Sequence, residues 1–170
     1  MSNTALVRLS VGVVVGRRKA QSPWLDFVWR PTAVLVGEAE AAPWTPLGED
    51  GATALFYAGG AEIELHRTST GGYRDNLATG SPLLWVILRP TQTEPPYTVL
   101  AVTADPAEGE SLTEAGDDLV ETVPMPEAIR RSVEIFIAEH HVERPFVKRK
   151  RDNARRAGLA DPPNGAENEK

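Results

Sequence analysis

The chain's three histidines, His66, His140 and His141, are the first residues whose chemistry has to be weighed, and no cysteine accompanies them. Neighbouring residues on a helix point about 100° apart, so His140 and His141 cannot readily close on one ion, as a metal site requires. His140 falls on the apolar face of a helical repeat, where a hydrogen-bonded core histidine is the commoner outcome. No metal site and no cofactor are expected. The absence of cysteine also excludes disulfides, thiolate metal sites and cysteine nucleophiles.

Paired carboxylates offer acid–base chemistry, but Glu62 and Glu64 alternate with Ile63 and Leu65. That alternation is the solvated face of a half-buried strand. Asp117-Asp118 follows a glycine and reads as turn chemistry. No serine occupies a nucleophile elbow, and neither "GGAEIE" nor "STGGYRDN" carries the lysine-serine pair of a phosphate loop. A hydrolase or nucleotide enzyme finds no motif here.

Charge is the more informative signal. The 170 residues carry a net −6, yet from Arg144 to Arg156 seven basic residues stand against Asp152 alone. From Asp105 to Glu121 there are seven acidic residues and no basic one. An acidic body with a basic tail points either to self-neutralisation or to a docking role for the tail. Such a body repels nucleic acid, so only the tail could bind it. Within the tail, Phe146 and Val147 embed an apolar anchor in charge, the composition of a docking segment. Arg144, Phe146, Lys148, Arg149, Lys150 and Arg151 are therefore the principal candidate contact, with Phe146 as anchor and the cations as steering charges. A solvated charge run folded on the acidic stretch is the competing reading.

Tryptophans supply a second surface. Trp24 and Trp29 flank "LDFV", Trp44 sits among prolines, and Trp85 lies in the most apolar segment. Trp85 is expected in the core. Trp24 and Trp44 either cap the open end of a barrel or offer aromatic surface to a partner. Trp24, Trp29 and Arg30 form the second candidate contact.

The elements that position these residues follow from periodicity. Residues 5–18 read as a strand, and a second covers about Phe27 to Glu38, where Pro31 marks an edge or a bulge. "AAPWTPLGEDG" reads as a loop. Gly59-Gly60 reads as a two-residue hairpin turn. "YRDNLATGSP" allows one helical turn, "LLWVILRP" is a central strand covered on both faces, and "TQTEPPY" turns it into "TVLAVTAD". Asp105-Pro106-Ala107-Glu108 starts a helix that Gly116 stops. "DLVETVPM" is a last short strand. Pro126 opens a long helix with Ile129, Val133, Phe136, Ile137 and His140 on one face.

This order predicts an α+β fold: an antiparallel, strongly twisted sheet or partial β-barrel packed by the C-terminal helix. Residues 5–143 form a single domain and 144–170 a basic, then polar, tail, expected to be largely disordered after about residue 153. No secretory signal or membrane span is read, so a cytoplasmic protein is expected.

The phrases "VGVVVGRRKAQSPWLDFVWRP", "FYAGGAEIELHR", "LWVILRP", "VTADPAEGESLTEAGDDLVETVPMP" and "FIAEHHVERPFVKRKRD" together resemble a small uncharacterised bacterial family. Its genes lie near those of molybdenum- or tungsten-dependent formate dehydrogenase, and some members carry a label from molybdenum-cofactor guanylylation. The resemblance spans residues 7 to 152. The guanylylation label would need repeated βα units around a nucleotide loop, which this order of elements lacks. The resemblance therefore implies a non-catalytic accessory protein in maturation or assembly of that dehydrogenase. Its expected partner is a dehydrogenase subunit or a maturation factor. The alternatives are a nucleic-acid-binding regulatory module using the basic tail, and an enzyme of unrecognised type with a pocket at His66, His140 or Arg89.

Overall fold

A computed structural model describes residues 5–114 and 116–142. Its elements are β1 (Val7–Lys19), β2 (Phe27–Val36), β3 (Thr45–Asp50), β4 (Thr53–Leu65), α1 (Thr70–Ala78), β5 (Leu83–Pro90), β6 (Tyr97–Thr103), α2 (Pro106–Glu114), β7 (Leu119–Pro124) and α3 (Glu127–His140). The fold is α+β. Its strands pair antiparallel in two sheets, ordered β2-β1-β4-β3 and β6-β5-β7. β6 runs beside β4, and β7 beside β2, without joining their ladders. The two sheets thus wrap one core but do not close as a barrel.

Strand alternation builds that core. Val11, Val13 and Val15 of β1 cluster with Leu84, Val86 and Leu88 of β5, together with Ile63 and Leu65 of β4. Successive side chains of a strand point to opposite faces, so every second residue enters the core. Each such buried side chain is worth about 1.5–3 kcal/mol. Pro31 does what its missing N–H demands. β2 is an edge strand, and its ladder slips so that Val14 faces Ala33 while Val15 faces Pro31, leaving Thr32 unpaired.

Three expectations need correction. Gly59-Gly60 is not a turn, because β4 runs unbroken through it. Val13 lies opposite Gly59 and Val14 opposite Tyr57, so Ala58 bulges out and Gly59 takes φ 143°. A bulge and a hairpin turn both call for positive φ, and glycine signals either one. The hairpin turn lies earlier, at Gly51-Ala52 between Asp50 and Thr53. Accordingly the stretch 41–51 is not all loop but holds β3, an edge strand that tolerates Pro46 and Gly48. Trp85 is the third correction. It is half-buried, on the face of β5 opposite Leu84 and Val86. α2 covers it so closely that a Cβ at Gly109 would lie 2.2 Å from Trp85 Cγ.

The later elements fall where periodicity places them. Asp105 Oδ1 accepts the Ala107 N–H at 3.0 Å and caps α2. α1 starts earlier than expected, at Thr70, and runs for nine residues. α3 buries Ile129, Val133 and Phe136.

α1 and α3 close the end of the sandwich where β1 begins. The Tyr73 and Phe136 rings meet edge to face, 6.1 Å apart at 70°. Buried Asn76 donates through Nδ2 to the Leu83 and Ala104 carbonyls at 2.8 and 3.0 Å, and its Oδ1 accepts the Leu83 N–H at 3.0 Å. One side chain thereby ties α1 to the start of β5 and the end of β6. Tyr73 accepts the His66 N–H at 2.9 Å. Burial raises the pKa of its hydroxyl above the ordinary 10.0, and the charges of Asp105 and Glu108 add to this, against the lowering effect of its hydrogen bonds at His66 and Ser69.

Candidate functional site

The principal sequence candidates, Arg144, Phe146, Lys148, Arg149, Lys150 and Arg151, lie outside the described residues. The second set, Trp24, Trp29 and Arg30, falls on the β1–β2 hairpin, at the far end of β1 from α1 and α3. Residues 20–26 join the two strands. Ala20 N–H donates to the Asp26 carbonyl at 3.0 Å, and Trp24 N–H donates to Ser22 Oγ at 3.2 Å.

Cross-strand pairing sorts the tip into two faces. Arg17 lies opposite Trp29 and Lys19 opposite Phe27, while Gly16 lies opposite Arg30 and Arg18 opposite Val28. Paired residues share a face and neighbours along the strand do not.

The first face is aromatic. Trp29 packs at 5.6 Å from Trp44, 5.9 Å from Phe56 and 6.4 Å from Phe27, centroid to centroid. The Arg17 guanidinium lies 4.3 Å from the Phe27 ring centre and 5.2 Å from that of Phe56. A cation over such rings contributes about 0.5–2 kcal/mol. Trp44 reaches the cluster with φ 68°, a left-handed backbone in a bulky residue, and its N–H donates to the Tyr57 carbonyl. Strain of that kind costs about 1–3 kcal/mol and persists only where its surroundings over-determine it. Here the ring packing does so.

The second face carries Arg18 and Arg30 beside a hollow, which Lys19, on the first face by register, also lines at the end of β1. A depression of about 540 Å³ is lined by Gly16, Arg18, Lys19, Ala20, Gln21, Val28, Arg30, Thr32 and Thr53. Lys19 and Ala20 also border a neighbouring depression that includes Leu25 and Phe27. Trp24 is 89% exposed, Leu25 60% and Val28 50%. Scattered exposed leucines are ordinary, but adjoining apolar residues around an uncovered tryptophan mark an interaction surface. Among the described residues, neither Arg18 nor Lys19 enters an ion pair, whereas Arg30 lies 3.7 Å from Glu121. Arg17, Arg18, Lys19 and Arg30 face only Asp26 within this stretch of a chain whose net charge is −6.

The structure therefore separates the predicted trio. Trp24 stands out in solvent, Arg30 borders the basic hollow, and Trp29 turns to the aromatic cluster. Sequence reasoning missed Arg17, Arg18, Lys19, Leu25, Phe27, Val28 and Phe56. The alternation of Phe27 and Trp29 with Val28 and Arg30 was available as a signal. The approach of Phe56 and Trp44 was not, because it depends on β4 pairing beside β1.

The remaining candidates do not converge. His66 borders a groove with Glu62, Glu64 and Glu108, whereas His140 and His141 border another with Arg67 and Thr70. Arg89 is held at 3.4 Å by Asp118. His140 stacks on Phe136 at 4.6 Å. His141 Nε2 lies 3.2 Å from an Arg74 nitrogen, and its Nδ1 lies 3.0 Å from Thr70 Oγ1. Arginine only donates, so Nε2 accepts and Nδ1–H donates to Thr70, which in turn donates to the Arg67 carbonyl.

Residues 10–150 match the family described as a protein of unknown function, DUF3305. The chain belongs to this family. The matched span takes in the whole tip, from Gly16 to Phe56. No curated protein and no solved structure matches the chain. No described helix is long and apolar enough to cross a membrane.

Proposed function

We propose that this chain is a cytoplasmic, non-catalytic accessory protein that assists maturation or assembly of a molybdenum or tungsten formate dehydrogenase, acting through protein–protein contacts. The observation that carries the contact role is the hairpin tip, where exposed Trp24, Leu25 and Val28 adjoin Arg18, Lys19 and Arg30. Tryptophan and arginine are the residues most enriched among those that dominate binding energy at protein interfaces. Titratable candidates spread over separate grooves favour a contact role over catalysis, which needs converging polar groups. The dehydrogenase enters through the family resemblance in the sequence. The basic tail, with Phe146 as its anchor, is the second contact.

Affinity capture of the tagged full chain from its native host tests this reading. A formate dehydrogenase subunit or a cofactor-insertion factor should be recovered with the unaltered chain. It should be lost with Trp24→Ala, Leu25→Ala at the tip, or with Phe146→Ala, Lys148→Glu, Arg149→Glu in the tail. Recovery of the same proteins by both variants would sink the proposal, as would recovery of neither protein by the unaltered chain.

A further inference from the structure

We infer that the hollow floored by Gly16 is a receptor for carboxylates on an acidic segment of a partner protein, with Trp24 and Leu25 taking an apolar side chain of the same segment. This rests on the reading of the tip as a docking surface, though not on which enzyme docks there. Three cations, Arg18, Lys19 and Arg30, border the hollow, with Thr32 and Thr53 also in its lining; the Thr32 hydroxyl donates to the Val14 carbonyl at 3.4 Å. No carboxylate is among its described lining residues, in a chain with 24 acidic residues against 18 basic, although Glu121 lies 3.7 Å from the Arg30 guanidinium. Residue 16 must be glycine because the Thr32 and Thr53 methyls already pack over it: a Cβ there would lie 2.7 Å from Thr53 Cγ2 and 3.0 Å from Thr32 Cγ2. Guanidinium groups bind carboxylates through paired, charge-assisted hydrogen bonds. An acidic side chain thus finds opposite charge in an accessible hollow.

Charge chooses among occupants. A second copy docking tip to tip would set Arg18 and Lys19 against their equivalents, a like-charge contact that disfavours the pairing. Nucleic acid or an anionic bilayer would meet the field of a chain carrying −6, which works against approach beyond the tip. A short acidic segment meets only the tip, and so gains the attraction without that repulsion. Steering by the three cations should make association strongly dependent on salt.

The test places p-benzoyl-phenylalanine at Leu25 of the full chain in its native host and identifies the photo-crosslinked peptide by mass spectrometry. The expected adduct is a peptide of another protein with at least two carboxylates beside an apolar residue. Its yield should drop about tenfold with Arg18→Glu, Lys19→Glu, the scale of a lost charge-pair coupling, and be retained with Arg18→Lys, Lys19→Arg. Both side chains are exposed, and circular dichroism of each variant checks that the fold is kept. An adduct to a second copy, to lipid, to nucleic acid or to a peptide without carboxylates overturns the inference, and so does no adduct. An acidic peptide from a protein unrelated to formate dehydrogenase upholds this inference and sinks the function proposed above. A dehydrogenase peptide without carboxylates does the reverse.

Discussion

At the Val7 end of β1, Asn76 spends its amide on three backbone groups and the Tyr73 and Phe136 rings meet inside a core closed by α1 and α3. At the Lys19 end of the same thirteen-residue strand, Trp24 stands 89% exposed and Arg18 and Lys19 lack ion-pair partners among the described residues. Both ends use aromatic and polar side chains; the first pairs most of its polar groups internally, His66 Nδ1 being a buried exception, whereas the second leaves Trp24, Arg18 and Lys19 exposed. A polar group buried without a partner costs about 1–3 kcal/mol, and native structures avoid that cost. An uncovered tryptophan is instead soluble enough to persist, and its burial is left for a partner. The difference separates residues that hold the fold from residues available for contact.

Mutations at the two ends should therefore divide into stability effects and binding effects. The largest is expected for Phe136→Ala, which should lower the unfolding free energy by about 3–5 kcal/mol, measured by urea denaturation. Asn76→Ala comes next. It strands the Leu83 N–H and the Leu83 and Ala104 carbonyls, and the same measurement should show a loss of about 2–4 kcal/mol. Gly109→Ala forces a methyl into the Trp85 ring, for about 1–3 kcal/mol of overpacking. A melting temperature unchanged by that substitution would contradict the packing of α2 on β5. At the tip, Trp24→Ala should alter stability by no more than about 0.5 kcal/mol while abolishing capture of the partner. A strongly destabilised Trp24→Ala protein would erase the contrast between the two ends.

A pH scan sharpens the comparison from the helical end. The Tyr73 hydroxyl is raised above 10.0, first by desolvation. As pH rises through 10.0 the unfolded chain loses its tyrosine proton while the folded chain keeps it. The unfolded state then binds fewer protons, and stability must fall with increasing pH. Tyr73→Phe should remove this extra alkaline slope, although it also leaves the His66 N–H without its partner at every pH. Equal slopes for the two proteins would show that the hydroxyl is not desolvated.

Much of the fold was legible because its signals are local. Alternation in Val11, Val13 and Val15, the proline that breaks β2, the Asp105 cap and the apolar face of α3 each depend on a few neighbouring residues. The candidate site was legible only in part. Trp24, Trp29 and Arg30 stood out by residue type, but which of them faces solvent depends on strand pairing. Gly59-Gly60 failed as a turn signal for a related reason: positive φ serves a bulge as well as a turn, and only the ladder to β1 distinguishes them.

The sequence by itself determined most element types, though not β3 or the unbroken β4, the acidic body with its basic segment, and part of the set of residues able to anchor a partner. Tertiary structure decided which of those residues are spent. Burial and pairing are properties of residues distant in the chain: Arg17 stacks on Phe27 and Phe56 because β2 and β4 flank β1, and residue 16 has no room for a side chain because the Thr32 and Thr53 methyls pack over it. Local propensity carries no information on such neighbours. The division between a satisfied helical end and an open hairpin tip exists only once the sheets are assembled.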